Sequence, residues 1–131
     1  MTAPKLDPNQ LIQSLEENGF DQWVGVPDST LEPLIEARFL SQNIYPQIAT
    51  NECEAVAIAA GHFLASGRPS VVYLQNSGFG KTIHPITSLL SKEICAIPAL
   101  LVIGWRASPG APADEPQHQT MGRIMPALLH T

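Results

Sequence analysis

The sequence of 131 residues carries little charge, few aromatic residues and only two cysteines. Charged residues make up 15% of the chain, and its seven Lys and Arg are outnumbered by twelve Asp and Glu, for a net charge of −5. Because phosphate binding needs clustered basic side chains, this scattered set argues against a nucleic-acid-binding protein. Cys53 and Cys95 form no CxxC pair, which leaves little support for a structural zinc site or a disulfide framework.

Long apolar runs are also missing. No stretch approaches the roughly 20 residues that a membrane-spanning helix needs, and residues 1–7 lack the apolar core of a signal peptide. These absences predict a cytoplasmic protein with no membrane contact. Hydrophobic residues nevertheless make up 44% of the chain, enough for a packed core, so we expect one domain over residues 1–131.

Strand and helix patterns alternate along the chain. Short apolar runs predict strands at 20–26, 44–49, 71–74 and 98–103. Helical spacing and caps predict helices over 8–18, from 29 or 30, over 52–64, over 82–90 and from 120, with Pro126 near the first turn of the last helix. The alternation is typical of a parallel sheet with right-handed crossovers, so the sequence predicts a doubly wound α/β fold with helices on both faces.

The run at 98–103 is continuously apolar, which predicts a central strand buried on both faces. No strand pattern follows the last helix. We therefore expect a domain that lacks its last elements, shortened naturally or by truncation at its C-terminal end.

Four polar clusters each follow a predicted strand. In parallel sheets the ligand site lies outside the carboxyl ends of the strands, so the four clusters are expected to share one rim. Taken singly, each has an ordinary explanation as a helix cap, a chain turn or a solvated first turn. The clusters are Pro27-Asp28-Ser29, Asn51-Glu52, Asn76-Ser77-Gly78 and the segment 104–118.

Several familiar site motifs are absent from the sequence. The glycine loop at 75–80 has neither GxGxxG nor GxxxxGK[ST] spacing, so phosphate cradling of the Rossmann or P-loop type has no support. Ser77 lacks the G-x-S-x-G context of a serine hydrolase. Cys53 is expected to be inert helix packing, because no base is evident beside it.

Five segments, taken in order, resemble the N-terminal pyrimidine-binding domain of thiamine-diphosphate-dependent 2-oxo acid decarboxylases. The resemblance extends over about residues 10–125 and is strongest to the phosphonopyruvate decarboxylases, with the sulfopyruvate decarboxylases as near relatives. The segments are Gly25-Val26-Pro27-Asp28-Ser29, residues 51–61, Gln75-Asn76-Ser77-Gly78, Ile103-Gly104-Trp105-Arg106 and Asp114-Glu115-Pro116-Gln117-His118.

The resemblance implies that Glu52 is the glutamate that hydrogen-bonds the aminopyrimidine ring of thiamine diphosphate. That bond favours the imino tautomer, whose exocyclic nitrogen removes the thiazolium C2 proton. Asn76, Ser77 and Gly78 are implied as further cofactor-binding residues. Glu54 is expected to point away from Glu52.

The same resemblance implies residues for proton handling at the substrate. Ser29, with Asp28 beside it, is the candidate to face the reacting carbon, for substrate contact or proton handling. His118 matches a segment that carries active-site histidines in related decarboxylases and is the candidate proton relay.

Three residues are candidates for holding the anionic end of the substrate. Arg106 and Lys81 are the available cations for a phosphonate or sulfonate, although Arg106 could serve structure alone. Gln119, which stands where related enzymes carry a second histidine, is a further candidate for substrate contact.

In this family a second domain binds the diphosphate and Mg²⁺ through a Gly-Asp-Gly motif followed by an Asn pair. That motif does not occur in the sequence. The resemblance therefore implies a partner, either a diphosphate-binding domain or a separate subunit, in a homo- or hetero-oligomer. The expected function is half of a phosphonopyruvate decarboxylase that is inactive alone. The alternatives are the small subunit of a split sulfopyruvate decarboxylase and a non-catalytic dimerisation or regulatory module. A free-standing nucleotide-binding domain has no motif in its favour.

Overall fold

A parallel β-sheet organises residues 6–130, the part of the chain that the computed structural model describes. Its strands are β1 (Gln22–Gly25), β2 (Gln47–Ile48), β3 (Ser70–Gln75) and β4 (Ala99–Gly104), and its helices are α1 (Pro8–Glu17), α2 (Glu32–Gln42), α3 (Glu52–Ser66), α4 (Ile83–Pro85) and α5 (Pro116–Leu129). The strand order is β2-β1-β3-β4, and every neighbouring pair is parallel. The α/β class predicted from the alternation is confirmed.

Helices cover both faces of the sheet, and β3 lies between them. Val71 and Tyr73 of β3 pack into the cluster formed with α1 and α2, whereas Val72 and Leu74 pack into the cluster formed with α3 and α5. Successive residues of a strand point to opposite faces of the sheet. All four side chains are buried because helices pack on both faces. The two clusters make this the doubly wound arrangement.

Local sequence signals place the helix ends. Asp7 caps α1 by accepting the Asn9 N–H at 3.0 Å, and Pro8 occupies the first turn, where its missing N–H costs nothing. The turn after α1 uses Gly19 at φ 85°, a conformation that glycine adopts without strain. Asn51 caps α3 by accepting the Glu54 N–H at 3.0 Å. The predicted bounds of both helices agree with the structure to within about two residues.

The predicted central position of 98–103 is wrong. Within residues 6–130, β4 pairs only with β3 and lies at an edge of the sheet, and its residues are half-buried apart from the buried Gly104. Its run is continuously apolar because both faces pack on helices. Leu101 and Ile103 contact one core cluster, while Leu100 and Val102 contact the other.

The segments predicted as helices over 82–90 and from 120 differ in detail. α4 is a single turn that passes into a wider π-turn over Ile86–Leu90, where the hydroxyls of Thr87 and Ser88 donate to helix carbonyls. α5 begins at Pro116, earlier than predicted, and Pro126 lies inside it rather than near its first turn. Proline suits a first turn, so Pro116 marks the true start. No helix among residues 6–130 has the length and apolar character needed to cross a bilayer.

Candidate functional site

The four polar clusters follow the carboxyl ends of the four strands and meet at one rim, as predicted. Contacts between distant segments join them in pairs. The pairs are Glu52 with Gly78, Asp28 with Gly104, Asn76 with Arg106, and Gln75 with His118.

Glu52 is the first residue of α3, and only 6% of it is exposed. Its Oε2 atom forms an ion pair with Nζ of Lys81 at 3.1 Å, and no other group among the described residues donates a hydrogen bond to it. The position at a helix N-terminus favours a carboxylate electrostatically. Glu52 is thus a buried acid that retains unused hydrogen-bonding capacity.

The absence of a side chain at Gly78 leaves room for the Glu52 side chain. A Cβ atom at position 78 would overlap Oε1, Cδ and Cγ of Glu52, so only glycine allows the loop after β3 to approach so closely. The same loop is wound as a 3-10 helix over Asn76–Thr82, with Ser77 exposed and Gly78 buried. The buried carboxyl and the glycine surface beside it suit a flat, hydrogen-bonding heteroaromatic ring such as aminopyrimidine.

Glu54 faces another direction, which confirms the expectation for this residue. Its Oε2 accepts the backbone N–H of Thr50 at 2.6 Å and also the Thr50 hydroxyl. The hydroxyl bond, followed by the backbone bond, lowers the pKa of Glu54. Glu54 therefore stabilises the start of α3 and leaves Glu52 as the carboxylate directed at Gly78.

Asp28 and Ser29 occupy different environments although they are adjacent. Asp28 is buried, and its Oδ2 accepts the Thr30 hydroxyl, whereas Ser29 is exposed at the start of the 3-10 turn Ser29–Leu31. A Cβ on Gly104 would overlap Asp28 Oδ2 and Thr30 Oγ1, so β4 approaches Asp28 only through a glycine.

A cavity of about 390 Å³ opens beside this pair. Its lining includes Asp28, Ser29, Glu32 and Glu36. Because three of these four side chains are carboxyl groups, the cavity is a poor place for the anionic end of a substrate.

Asn76 holds the ends of β3 and β4 together. Its side chain is fully buried, its Nδ2 donates to the Arg106 carbonyl at 3.0 Å, and its Oδ1 accepts the Arg106 N–H at 3.2 Å. Both atoms of the amide are thus engaged with backbone, so contact of this side chain with a cofactor stays a prediction.

The guanidinium of Arg106 is paired with Asp114. Its Nε and Nη2 atoms donate to the two carboxylate oxygens at 2.7 and 2.6 Å, and Asp114 Oδ2 also accepts the Ala107 N–H at 3.0 Å. This fork closes the loop between β4 and α5. Arg106 is therefore already neutralised, while the Lys81 side chain is 63% exposed.

The start of α5 carries the two remaining candidates. His118 Nδ1 lies 3.2 Å from Gln75 Nε2, which places the imidazole beside the end of β3. Gln119 donates from Nε2 to the Asp114 carbonyl at 2.8 Å, so it helps to hold the loop. Sequence reasoning missed Gln75 and Thr30 as parts of this rim. Gln75 lies within one of the five segments that carry the family resemblance, but nothing in the sequence indicates its partner.

The Arg106–Asp114 pair predicts an acid-dependent loss of stability. The hydrogen bond from Arg106 lowers the pKa of Asp114, with further help from the Glu115 N–H, so the folded state binds the proton less readily than the unfolded state. The pair's contribution is then complete above the ordinary Asp pKa of about 3.9 and is lost as pH falls below it. Asp114→Asn should lower the denaturant midpoint at neutral pH, and its difference from the wild type should shrink below about pH 4.

Exposed Glu115 provides the matched control, because Glu115→Gln removes a neighbouring charge without touching the fork. Urea titrations across a pH series would measure both variants. A difference between Asp114→Asn and the wild type that stays constant down to strongly acidic pH would contradict the assignment.

The fold and this rim define a pyrimidine-binding domain of the thiamine-dependent enzymes. The chain belongs to the family described as thiamine pyrophosphate enzyme, N-terminal TPP binding domain, whose profile matches residues 8–125. It is 41% identical over 119 residues to phosphonopyruvate decarboxylase of Streptomyces viridochromogenes. It is also 35% identical over 119 residues to sulfopyruvate decarboxylase subunit alpha of Methanocaldococcus jannaschii.

These relatives differ in how much of their length is matched. Each alignment covers 91% of this chain, but it covers 29% of the phosphonopyruvate decarboxylase and 68% of the alpha subunit. Among solved structures, a thiamin diphosphate-dependent enzyme from Mycobacterium smegmatis superposes with a TM-score of 0.65 at 21% identity, over 91% of this chain and 23% of that chain. This likeness shows the shared fold.

Proposed function

We propose that this chain is the pyrimidine-binding half of a thiamine-diphosphate-dependent decarboxylase that converts phosphonopyruvate to phosphonoacetaldehyde and CO₂. A second half that binds diphosphate and Mg²⁺ completes the cofactor site, and the chain is inactive without it. The observation that carries the proposal is the buried Glu52 at the start of α3, with Gly78 against it. The identities of 41% and 38% to two phosphonopyruvate decarboxylases support this choice of substrate.

Glu52 and the loop after β3 hold the aminopyrimidine. The Glu52 carboxyl would hold the aminopyrimidine by a hydrogen bond to a ring nitrogen. Among the described residues its Oε2 contacts only the exposed ammonium of Lys81, which can turn away. Ser77 and Gly78 supply the adjacent loop surface. When bound, thiamine diphosphate supplies the carbon nucleophile and the electron sink for loss of CO₂ from a 2-oxo acid.

Lys81 is the cation proposed to meet the phosphonate. Its ammonium group already reaches the rim, and it remains exposed, whereas the Arg106 guanidinium is paired with Asp114. A flexible ammonium can leave Glu52 for an incoming dianion without breaking the loop. Gln119 and Arg106 serve this substrate indirectly, by holding the loop that ends at α5.

His118, Ser29 and Asp28 are proposed to handle protons at the reacting carbon. His118 is half-buried beside the end of β3, and Ser29 is exposed and lines the cavity next to Asp28. Imidazole is the side chain best matched to proton transfer near neutral pH.

A second candidate function is the alpha subunit of a sulfopyruvate decarboxylase. The observation in its favour is the 35% identity to sulfopyruvate decarboxylase subunit alpha of Methanocaldococcus jannaschii, in an alignment that covers 68% of that subunit. The residues at the rim serve both substrates, because a sulfonate and a phosphonate present similar oxygen atoms to a cation.

The test measures CO₂ and aldehyde release from phosphonopyruvate and from sulfopyruvate with thiamine diphosphate and Mg²⁺. The chain is assayed alone, with the part of the Streptomyces viridochromogenes enzyme that it does not match, and with the partner subunit of the alpha relative. Release from phosphonopyruvate in a mixture, and none from the chain alone, supports the proposal. Preference for sulfopyruvate supports the second candidate. No release with either partner contradicts both and favours a non-catalytic dimerisation or regulatory module.

A further inference from the structure

Gln75 ends the central strand at the rim, and the proposed function gives it no role. The residue is half-buried, and its side chain extends to two residues that the proposal does use. Its Nε2 atom lies 2.6 Å from Ser77 Oγ and 3.2 Å from His118 Nδ1.

The orientation of the Gln75 amide, with its nitrogen towards both partners, sets the direction of both contacts. A carboxamide nitrogen carries two N–H groups and accepts no hydrogen bond, so Gln75 donates to Ser77 Oγ and to His118 Nδ1. A neutral imidazole carries one N–H and one acceptor nitrogen. Because Nδ1 accepts, the ring proton must lie on Nε2.

The backbone at His118 is held independently of Gln75. His118 lies in the first turn of α5, where its N–H donates to the Glu115 carbonyl at 2.9 Å. The loop before that turn is held by the fork between Arg106 and Asp114. Among residues 6–130, no partner is found for Nε2 of His118.

We propose that Gln75 is a positioning residue that fixes His118 as the Nε2–H tautomer, so that the imidazole presents a proton donor to the site. The inference rests on the proposed proton-handling role of His118. It narrows that role, because a histidine held in this tautomer enters the reaction as a donor at Nε2 rather than as an acceptor there. The nitrogen that faces Gln75 is unavailable to substrate.

Long-range ¹H–¹⁵N NMR spectra of the 131-residue chain test the assignment directly. They are recorded at about pH 8.5, well above the ordinary histidine pKa of about 6.5, so that the rings are neutral. The expected His118 spectrum has a pyrrole-type Nε2 and a pyridine-type Nδ1. A wild-type spectrum with the proton on Nδ1 would overturn the proposal without any variant.

Two substitutions at position 75 then test whether Gln75 determines the tautomer of His118. Gln75→Met removes the donor and should draw the two ¹⁵N shifts of His118 towards each other as the tautomers mix. Gln75→Glu replaces the donor with an acceptor and should move a proton to Nδ1. Gln22→Met is the matched control, because Gln22 is half-buried at the far end of β1 and bonds Gln47 instead.

Identical His118 shifts in the wild type and in a folded Gln75→Met chain would overturn the proposal. The NMR result is separate from catalysis. A His118→Ala enzyme with full decarboxylation activity would remove the proton-handling role and leave the tautomer assignment standing.

Discussion

Glu52→Gln, combined with a diphosphate-binding half, is expected to release CO₂ at least about 10²-fold more slowly than the wild type, the range in which general acid–base groups act. The carboxamide keeps the size of the side chain but cannot exchange a proton with a ring nitrogen. Because Glu52 is buried at the start of α3, no solvent-exposed acid can easily take its place. The measurement is the rate of CO₂ release at saturating thiamine diphosphate.

Glu54 gives this experiment a control within the same helical turn. Glu54→Gln retains a side-chain oxygen that can accept the two Thr50 hydrogen bonds, and the residue is exposed. It should keep the wild-type rate. Equal losses in the two variants would mean that the start of α3, rather than the carboxyl of Glu52, sets the rate.

Gly78→Ala is expected to damage both stability and cofactor binding. The new methyl group would overlap three side-chain atoms of Glu52, so either the loop or the carboxyl must move. Overpacking of this kind typically costs about 1–3 kcal/mol of unfolding free energy. Urea unfolding of the chain measures the first effect, and calorimetric titration of the assembled halves with thiamine diphosphate measures the second.

Gly80→Ala separates the steric cause from loss of glycine flexibility. A Cβ at position 80 meets no atom within 4 Å, although both glycines lie in the same 3-10 segment. This variant should unfold and bind as the wild type does. If both variants weaken binding equally, contact with Glu52 is not the reason for a glycine at position 78.

Most of the fold could be predicted because its signals are local. Caps such as Asp7 and Asn51, and the short apolar strands, depend on residues within one turn or one strand. The position of β4 could not be predicted in this way. A strand covered by helices on both faces is continuously apolar whether or not a neighbour pairs with its outer edge, so composition does not distinguish centre from edge.

The candidate site also has a part that the sequence predicts and a part that it does not. The clusters at the strand ends were predictable because parallel strands bring their carboxyl ends to one rim. The pairings within the rim were not. The sequence names Arg106 as a candidate for substrate binding but does not indicate its partner Asp114, and the bond between Gln75 and His118 joins residues 43 positions apart. Such partners depend on how the loops close, which local sequence patterns do not encode.

The glycines of the rim also constrain how this sequence can vary over evolution. Gly78 leaves room for Glu52, Gly104 leaves room for Asp28, and a Cβ on Gly122 would overlap the carbonyl of Ala107. Each glycine is thus required by a close contact with an atom of a residue distant in the sequence. In an alignment, Gly104 and the residue at position 28 should covary, because a larger residue at 104 would require a shorter one at 28. The carbonyl opposite Gly122 is present in every residue type, so no covarying substitution can relieve that contact, and position 122 should stay glycine alone.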